Sequence, residues 1–143
     1  MRQQTLQIRD VTYEKFLDGV EANGLSLTPA ESQTLDLGSA ALEIIPSPGD
    51  DYSSLNDYSV CAYLTCGENG FFFTGDASKP EEKDLLSAGA LDHVKADVLK
   101  VGHHGSRESS TDDFLYAISP INSSKCSRRS SSGIFRKPSR WPR

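Results

Sequence analysis

The chemistry in this 143-residue sequence concentrates in three side chains: the carboxylate of Asp76 and the imidazoles of His103 and His104. Asp76 closes the run FFFTGD, and the histidine pair sits in KVGHHGS. Three consecutive Phe read as a buried strand. Asp76 then stands at its carboxyl end, where a carboxylate is costly to desolvate unless cations or donors meet it. The histidines also follow an apolar run, at the edge where open α/β sheets place their sites. Gly102 and Gly105 let the backbone turn tightly and approach a ligand closely. Imidazole and carboxylate together suit zinc or another first-row divalent ion. Plainer readings stand beside this one: Asp76 can cap the helix that follows it, and a His pair in a loop can simply face solvent. Their co-occurrence favours the metal. The third histidine, His93, reads as a surface residue.

The elements that must position these residues are legible as a pattern. Thr12 to Asn23 reads as an amphipathic helix with Phe16, Leu17 and Val20 on one stripe and Gly24 as its stop. Short strands are expected at Thr34–Leu37 and Ala41–Ile45, followed by a Pro-rich polar loop. A strand over Tyr58–Cys66, a turn at Gly67-Glu68-Asn69-Gly70 and a strand over Phe71–Thr74 make a hairpin. Ser78, Pro80 and the acids Glu81 and Glu82 start a helix that stops at Gly89. A strand over Asp97–Val101 leads into the histidines, and Ser110 or Thr111 caps a last helix to Ile118. The order of strand, helix, strand, loop and helix implies an α/β architecture.

Charge divides the chain. The net charge is −5, but residues 121–143 carry seven Lys/Arg and no acid, leaving a body of 8 basic and 20 acidic residues. An acidic body offers no electrostatic footprint for a nucleic-acid backbone. The Ser/Arg-rich tail lacks apolar periodicity and is expected to be disordered, with no strand after the last helix. Cys61, Cys66 and Cys126 match no zinc spacing, and Cys61 and Cys66, five apart on one strand, cannot bridge each other. No run is apolar enough to span a membrane, and no export signal is visible at MRQQTLQIRD.

FFFTGD, followed after a short helix by ADVLKVGHHGSRESSTDDFL, resembles the second half of metallo-β-lactamase-fold hydrolases, in their ComEC-like branch. The segment Asn56-Asp57-Tyr58-Ser59-Val60 is similar to that family's run into its second sheet. The resemblance covers residues 1 to about 120 and implies an incomplete αββα sandwich with a separate tail at 121–143. It also implies that Asp76 bridges two metal ions, zinc or manganese. One of His103 and His104 would be a ligand and the other would orient it or touch substrate. Ser106 and Ser110 would hydrogen-bond an anionic substrate group, although turn formation and helix capping explain them equally well. In a two-metal site bound water becomes a hydroxide that attacks a phosphoryl or carbonyl centre. The implied substrate is a phosphodiester or related ester, nucleic acid among them.

The family's HxHxDH motif does not occur in the sequence. The expectation is therefore a truncated or frame-shifted domain, inactive alone, that pairs with a complementary half or self-associates through exposed sheet. The competing readings are a non-catalytic fragment and a nucleic-acid-binding module built on the basic tail.

Overall fold

The computed structural model describes residues 11–124 and 134–136. After helix α1 (Val11–Ala22) come strands β1 (Gln33–Asp36), β2 (Ala40–Ile45), β3 (Cys61–Cys66) and β4 (Asn69–Phe73). Helix α2 (Lys79–Ser87), β5 (Val98–Lys100), helix α3 (Asp112–Ile118), β6 (Asn122–Ser124) and β7 (Ile134–Arg136) complete the order. All seven strands form one sheet whose spatial order is their sequence order. β1 to β4 run as an antiparallel meander, β4, β5 and β6 are parallel across the helical crossovers, and β7 returns antiparallel to β6.

The sheet has two unlike faces, as its period of two requires. In register across one face lie Tyr63, Phe72 and Leu99. They join Leu85 of α2 and Phe114 and Ile118 of α3 in the buried core. The opposite face aligns Leu35, Leu42, Leu64, Phe71 and Val98 in one row, with Ile44, Ala62 and Phe73 beside it. Leu35 and Phe73 of this face are exposed. Among the described residues, helices α2 and α3 therefore cover one side of the sheet only, the arrangement expected of the second half of an αββα sandwich. Helix α1 buries none of its residues; Phe16 and Leu17 of its expected stripe are exposed and Val20 is half-buried. No helix among the described residues is long and apolar enough to cross a membrane.

Three local expectations are corrected. The β3–β4 turn is the two residues Gly67 and Glu68, because Cys66 pairs with Asn69. Asn69 and Gly70 belong to β4, where a Cβ on Gly70 would lie 2.3 Å from the Lys95 carbonyl oxygen. Residues Leu55–Tyr58 form a 3₁₀ turn, with the Ser54 side chain accepting from the Asn56 amide, before β3 begins at Cys61. Finally, β6 follows α3 where no strand was expected. Its residues are polar, so the pairing rests on backbone: Val98 opposes Asn122, and the Asn122 amide donates to the Asp97 carbonyl at 2.8 Å. A chain leaving α3 beside the open edge of β5 satisfies that edge whatever its side chains. Apart from β6, β7 and the residues leading into β6, the tail expected to be disordered lies outside the described residues, as does Cys126. Cys61 is buried, Cys66 is exposed, and both are free thiols.

Candidate functional site

The ends of β4 and β5 are zipped together by polar contacts. The Thr74 hydroxyl donates to the Lys100 carbonyl at 3.0 Å. The Gly75 carbonyl accepts the Lys100 ammonium at 3.1 Å and the His103 amide at 3.3 Å. Gly75 is itself left-handed, and a Cβ there would press on the Ser59 side chain at 3.0 Å. Asp76 follows. Its amide donates to Ser59 Oγ at 3.0 Å, and that hydroxyl donates to the Asn56 carbonyl at 2.7 Å. Asp76 is not the cap of α2: the N-cap position belongs to Ser78.

The histidines sit on a strained turn. Gly102 is buried, and a Cβ there would lie 2.8 Å from the Ala77 carbonyl oxygen, so only glycine fits. His103 (φ 45, ψ 47) and His104 (φ 55, ψ 23) are both left-handed. For L-residues that conformation costs about 1–2 kcal/mol each. The turn sends the two rings apart. His104 Nε2 comes within 3.4 Å of Asp76 Oδ1, whereas His103 Nε2 lies 3.4 Å from Asn56 Nδ2. The ring centroids are 6.4 Å apart. Asp76 and His104 thus share one solvent-open space, and His103 faces the turn before β3.

Of the two serines, Ser106 is engaged through its hydroxyl and Ser110 through its amide. Ser106 Oγ accepts the Glu108 amide at 3.2 Å. The Ser110 hydroxyl is buried without a partner, while its amide donates to Glu82 Oε1. The buried Ser109 hydroxyl between them donates to the Gly102 carbonyl at 2.7 Å. His93 is elsewhere: its Nε2 is 2.6 Å from Glu43 Oε2, and its ring packs edge-on to Tyr63.

Three acids under the site went unnoticed in the sequence as site residues. Asp57, Glu81 and Glu82 are all buried. Asp57 Oδ1 accepts from both the amide and the hydroxyl of Ser78. Glu81 accepts the Ser59 amide at 3.3 Å, and its Oε1 has no partner among the described residues. Burial pushes the Glu81 carboxyl up to about 8, with the neighbouring Asp57 and Glu82 charges adding to the rise against hydrogen bonds from Ser59 and Ser47. Burial likewise raises the Cys61 thiol, with Glu81 and Glu82 reinforcing it. As first-turn acids of α2, Glu81 and Glu82 suit the helix dipole. That reading explains their position on α2 but gives no sign that they would be buried.

Among the described residues, no group of three or more His, Cys, Asp or Glu converges as a metal-holding cluster. Asp76 and His104 are therefore a pair of donors, one short of the three protein ligands of a catalytic zinc.

Two comparisons with known proteins bear on this arrangement. The profile of the metallo-beta-lactamase superfamily matches residues 30–120, from the approach to β1 through the end of α3. ComE operon protein 3 of Bacillus subtilis (strain 168) is 28% identical over 108 residues, which is 75% of this chain and 14% of that protein. The match thus spans about a seventh of the relative's length. The matched region contains Asn56, Asp76 and both histidines of the turn, and the chain belongs to the metallo-beta-lactamase superfamily.

Proposed function

We propose that this chain carries the Asp76 and His103–His104 portion of a metal-dependent hydrolase centre of the ComEC-like type, acting on phosphodiesters or related esters. The observation that carries the reading is the 3.4 Å separation of Asp76 Oδ1 and His104 Nε2. Two donors at ~2.0–2.1 Å on one tetrahedral zinc stand ~3.4 Å apart, so the pair has the spacing of neighbours on a shared ion. Zinc or manganese there would supply an acidified water and a charge on the developing oxyanion. What the chain itself contributes is placement. Ser59 fixes the backbone of Asp76, Gly75 fixes His103, and Asn56 holds the His103 ring apart from His104. Ser106 lines the loop where an anionic group would lie, while the Ser110 hydroxyl is buried beneath it. The two donors do not complete a metal site, so catalysis requires further ligands, which a complementary half-domain packed on the uncovered sheet face would bring.

The donor count also supports a second reading, a non-catalytic domain fragment. Metal analysis and hydrolysis of an activated phosphodiester, on the chain alone and on the chain mixed with the first half of a metallo-beta-lactamase domain, separate the two, the outcomes being read on the mixture. Stoichiometric zinc or manganese lost in Asp76→Ala and His104→Ala, with metal-dependent turnover, supports the hydrolase. Metal-free, inactive protein supports the fragment.

A further inference from the structure

We propose that Glu82 is the positioning residue of the His103–His104 loop, clamping its far end to the helix that follows Asp76. Helix α3 begins without help from its own N-cap, since the Thr111 side chain makes no capping bond. The amides at a helix start must still find acceptors. Glu82 holds the cap amide and the one before it from another helix: Oε1 accepts the Ser110 amide and Oε2 the Thr111 amide at 2.9 Å. The carboxylate is wholly buried. A solvated side chain could satisfy such amides at the surface. A buried one that spends both oxygens on consecutive amides fixes a distance.

That distance matters because of what the loop carries. Between β5 and α3 the chain holds three left-handed non-glycine residues, His103, His104 and Ser110. Conformations of this kind persist only where the surroundings over-determine them. The near end of the loop is held by the His103 amide on the Gly75 carbonyl. Its middle is held by Ser109 on Gly102 and by the Lys79 amide on the Glu108 carbonyl at 2.8 Å. The far end has Glu82, six residues after Asp76 on the same continuous segment. One segment therefore carries Asp76 and fixes the loop opposite it, so the Asp76–His104 separation is set through Glu82. The adjacent Glu81 holds the Ser59 side of the same site. The inference rests on the reading of Asp76 and the histidines as one site.

Native-state hydrogen exchange by NMR on the full chain tests it, with Glu82→Gln and the shorter Glu82→Asp. In the wild type, the Ser110 and Thr111 amides should be protected although they lie outside any regular element; free exchange there overturns the proposal even if neither variant folds. In Glu82→Gln, one oxygen is lost, and protection at Ser110 or Thr111 should fall ~10-fold or more. The His104 imidazole resonances and its cross-peaks to Asp76 should shift, while the Phe72 and Leu99 amides keep their protection. Glu82→Asp should show the same local pattern. A uniform loss that includes Phe72 and Leu99, or an unmoved His104, would reduce Glu82 to a stabilising residue and sink the positioning role. Zinc and manganese titration of the wild type is read separately. Absence of metal binding even with a complementary half-domain added would defeat the hydrolase reading while the exchange pattern still decides the clamp.

Discussion

Glu81→Gln should flatten the dependence of stability on pH, and the size of the effect follows from where Glu81 sits. Its side chain is wholly buried under β3 and the 3₁₀ turn, with one oxygen unpartnered and two further acids nearby, so its carboxyl titrates at about 8 in the folded chain. In an unfolded chain a glutamate titrates near ~4.3. Between those values the folded chain keeps a proton that the unfolded chain has released, so the proton count of the unfolded state is lower by one. The sign follows: stability from this group is fully present below the unfolded value and is lost as pH rises through the folded one, at about 1.4 kcal/mol per pH unit. From about pH 5 to about pH 8 the loss approaches roughly 4 kcal/mol, a large share of the ~5–15 kcal/mol that holds a typical domain together. Glutamine keeps the shape of the protonated acid, including an unpartnered atom at the Oε1 position, but cannot titrate. Urea unfolding of both proteins across that range should give midpoints that diverge as pH rises, with the variant gaining. Parallel curves would refute the argument, because they would mean that Glu81 is ionised or hydrated in the folded chain.

Other substitutions probe the two faces of the sheet. Phe72 is fully buried against Tyr63 and Phe114, so Phe72→Ala should cost about 3–5 kcal/mol in chemical denaturation. Phe73, its neighbour on the uncovered face, is 41% exposed. Phe73→Glu should leave the unfolding midpoint near wild type and reduce self-association measured by sedimentation velocity. The His93–Glu43 pair is short but its histidine is more than half exposed. His93→Ala should therefore change stability by less than about 1 kcal/mol, as read from its urea unfolding midpoint.

The fold was readable in the sequence wherever side-chain period decided it. The apolar Ala41–Ile45 segment ended by the Pro-rich loop and the compact Phe71-Phe72-Phe73 run located β2 and β4, and Ser78 and Pro80 located the start of α2. The reading failed where backbone satisfaction outweighed side-chain character. β6 forms from Asn122, Ser123 and Ser124 because the edge of β5 needs partners, not because those residues prefer a strand. Asn69-Gly70 has the composition of a turn, yet Gly70 lies in β4 because nothing larger fits beside Lys95. At the site, Asp76, His103 and His104 announced themselves by residue type. The different surroundings of the two histidines did not, since these depend on consecutive left-handed residues that only the folded turn displays. Asn56 and Ser59 were visible as part of a family-like segment, but their contacts with His103 and Asp76 span 47 and 17 residues.

The strand order also determines how the sheet can be assembled in time. Among the described residues, every strand hydrogen-bonds only to the strands adjacent to it in the chain. β1 through β4 can close by short hairpins and one longer loop as the chain emerges from a ribosome, with no later segment inserted between them. Docking β5 requires a wider closure, since Phe71 pairs with Val98, and docking β6 another, since Val98 pairs with Asn122. Wider closures cost more entropy and come later. The Asp76 side of the site is thus laid down with the meander, and the histidines arrive only when β5 docks. Pulse-labelled hydrogen exchange should find the amides of β2 and β3 protected before those of β5, and the reverse order would rule this sequence of events out.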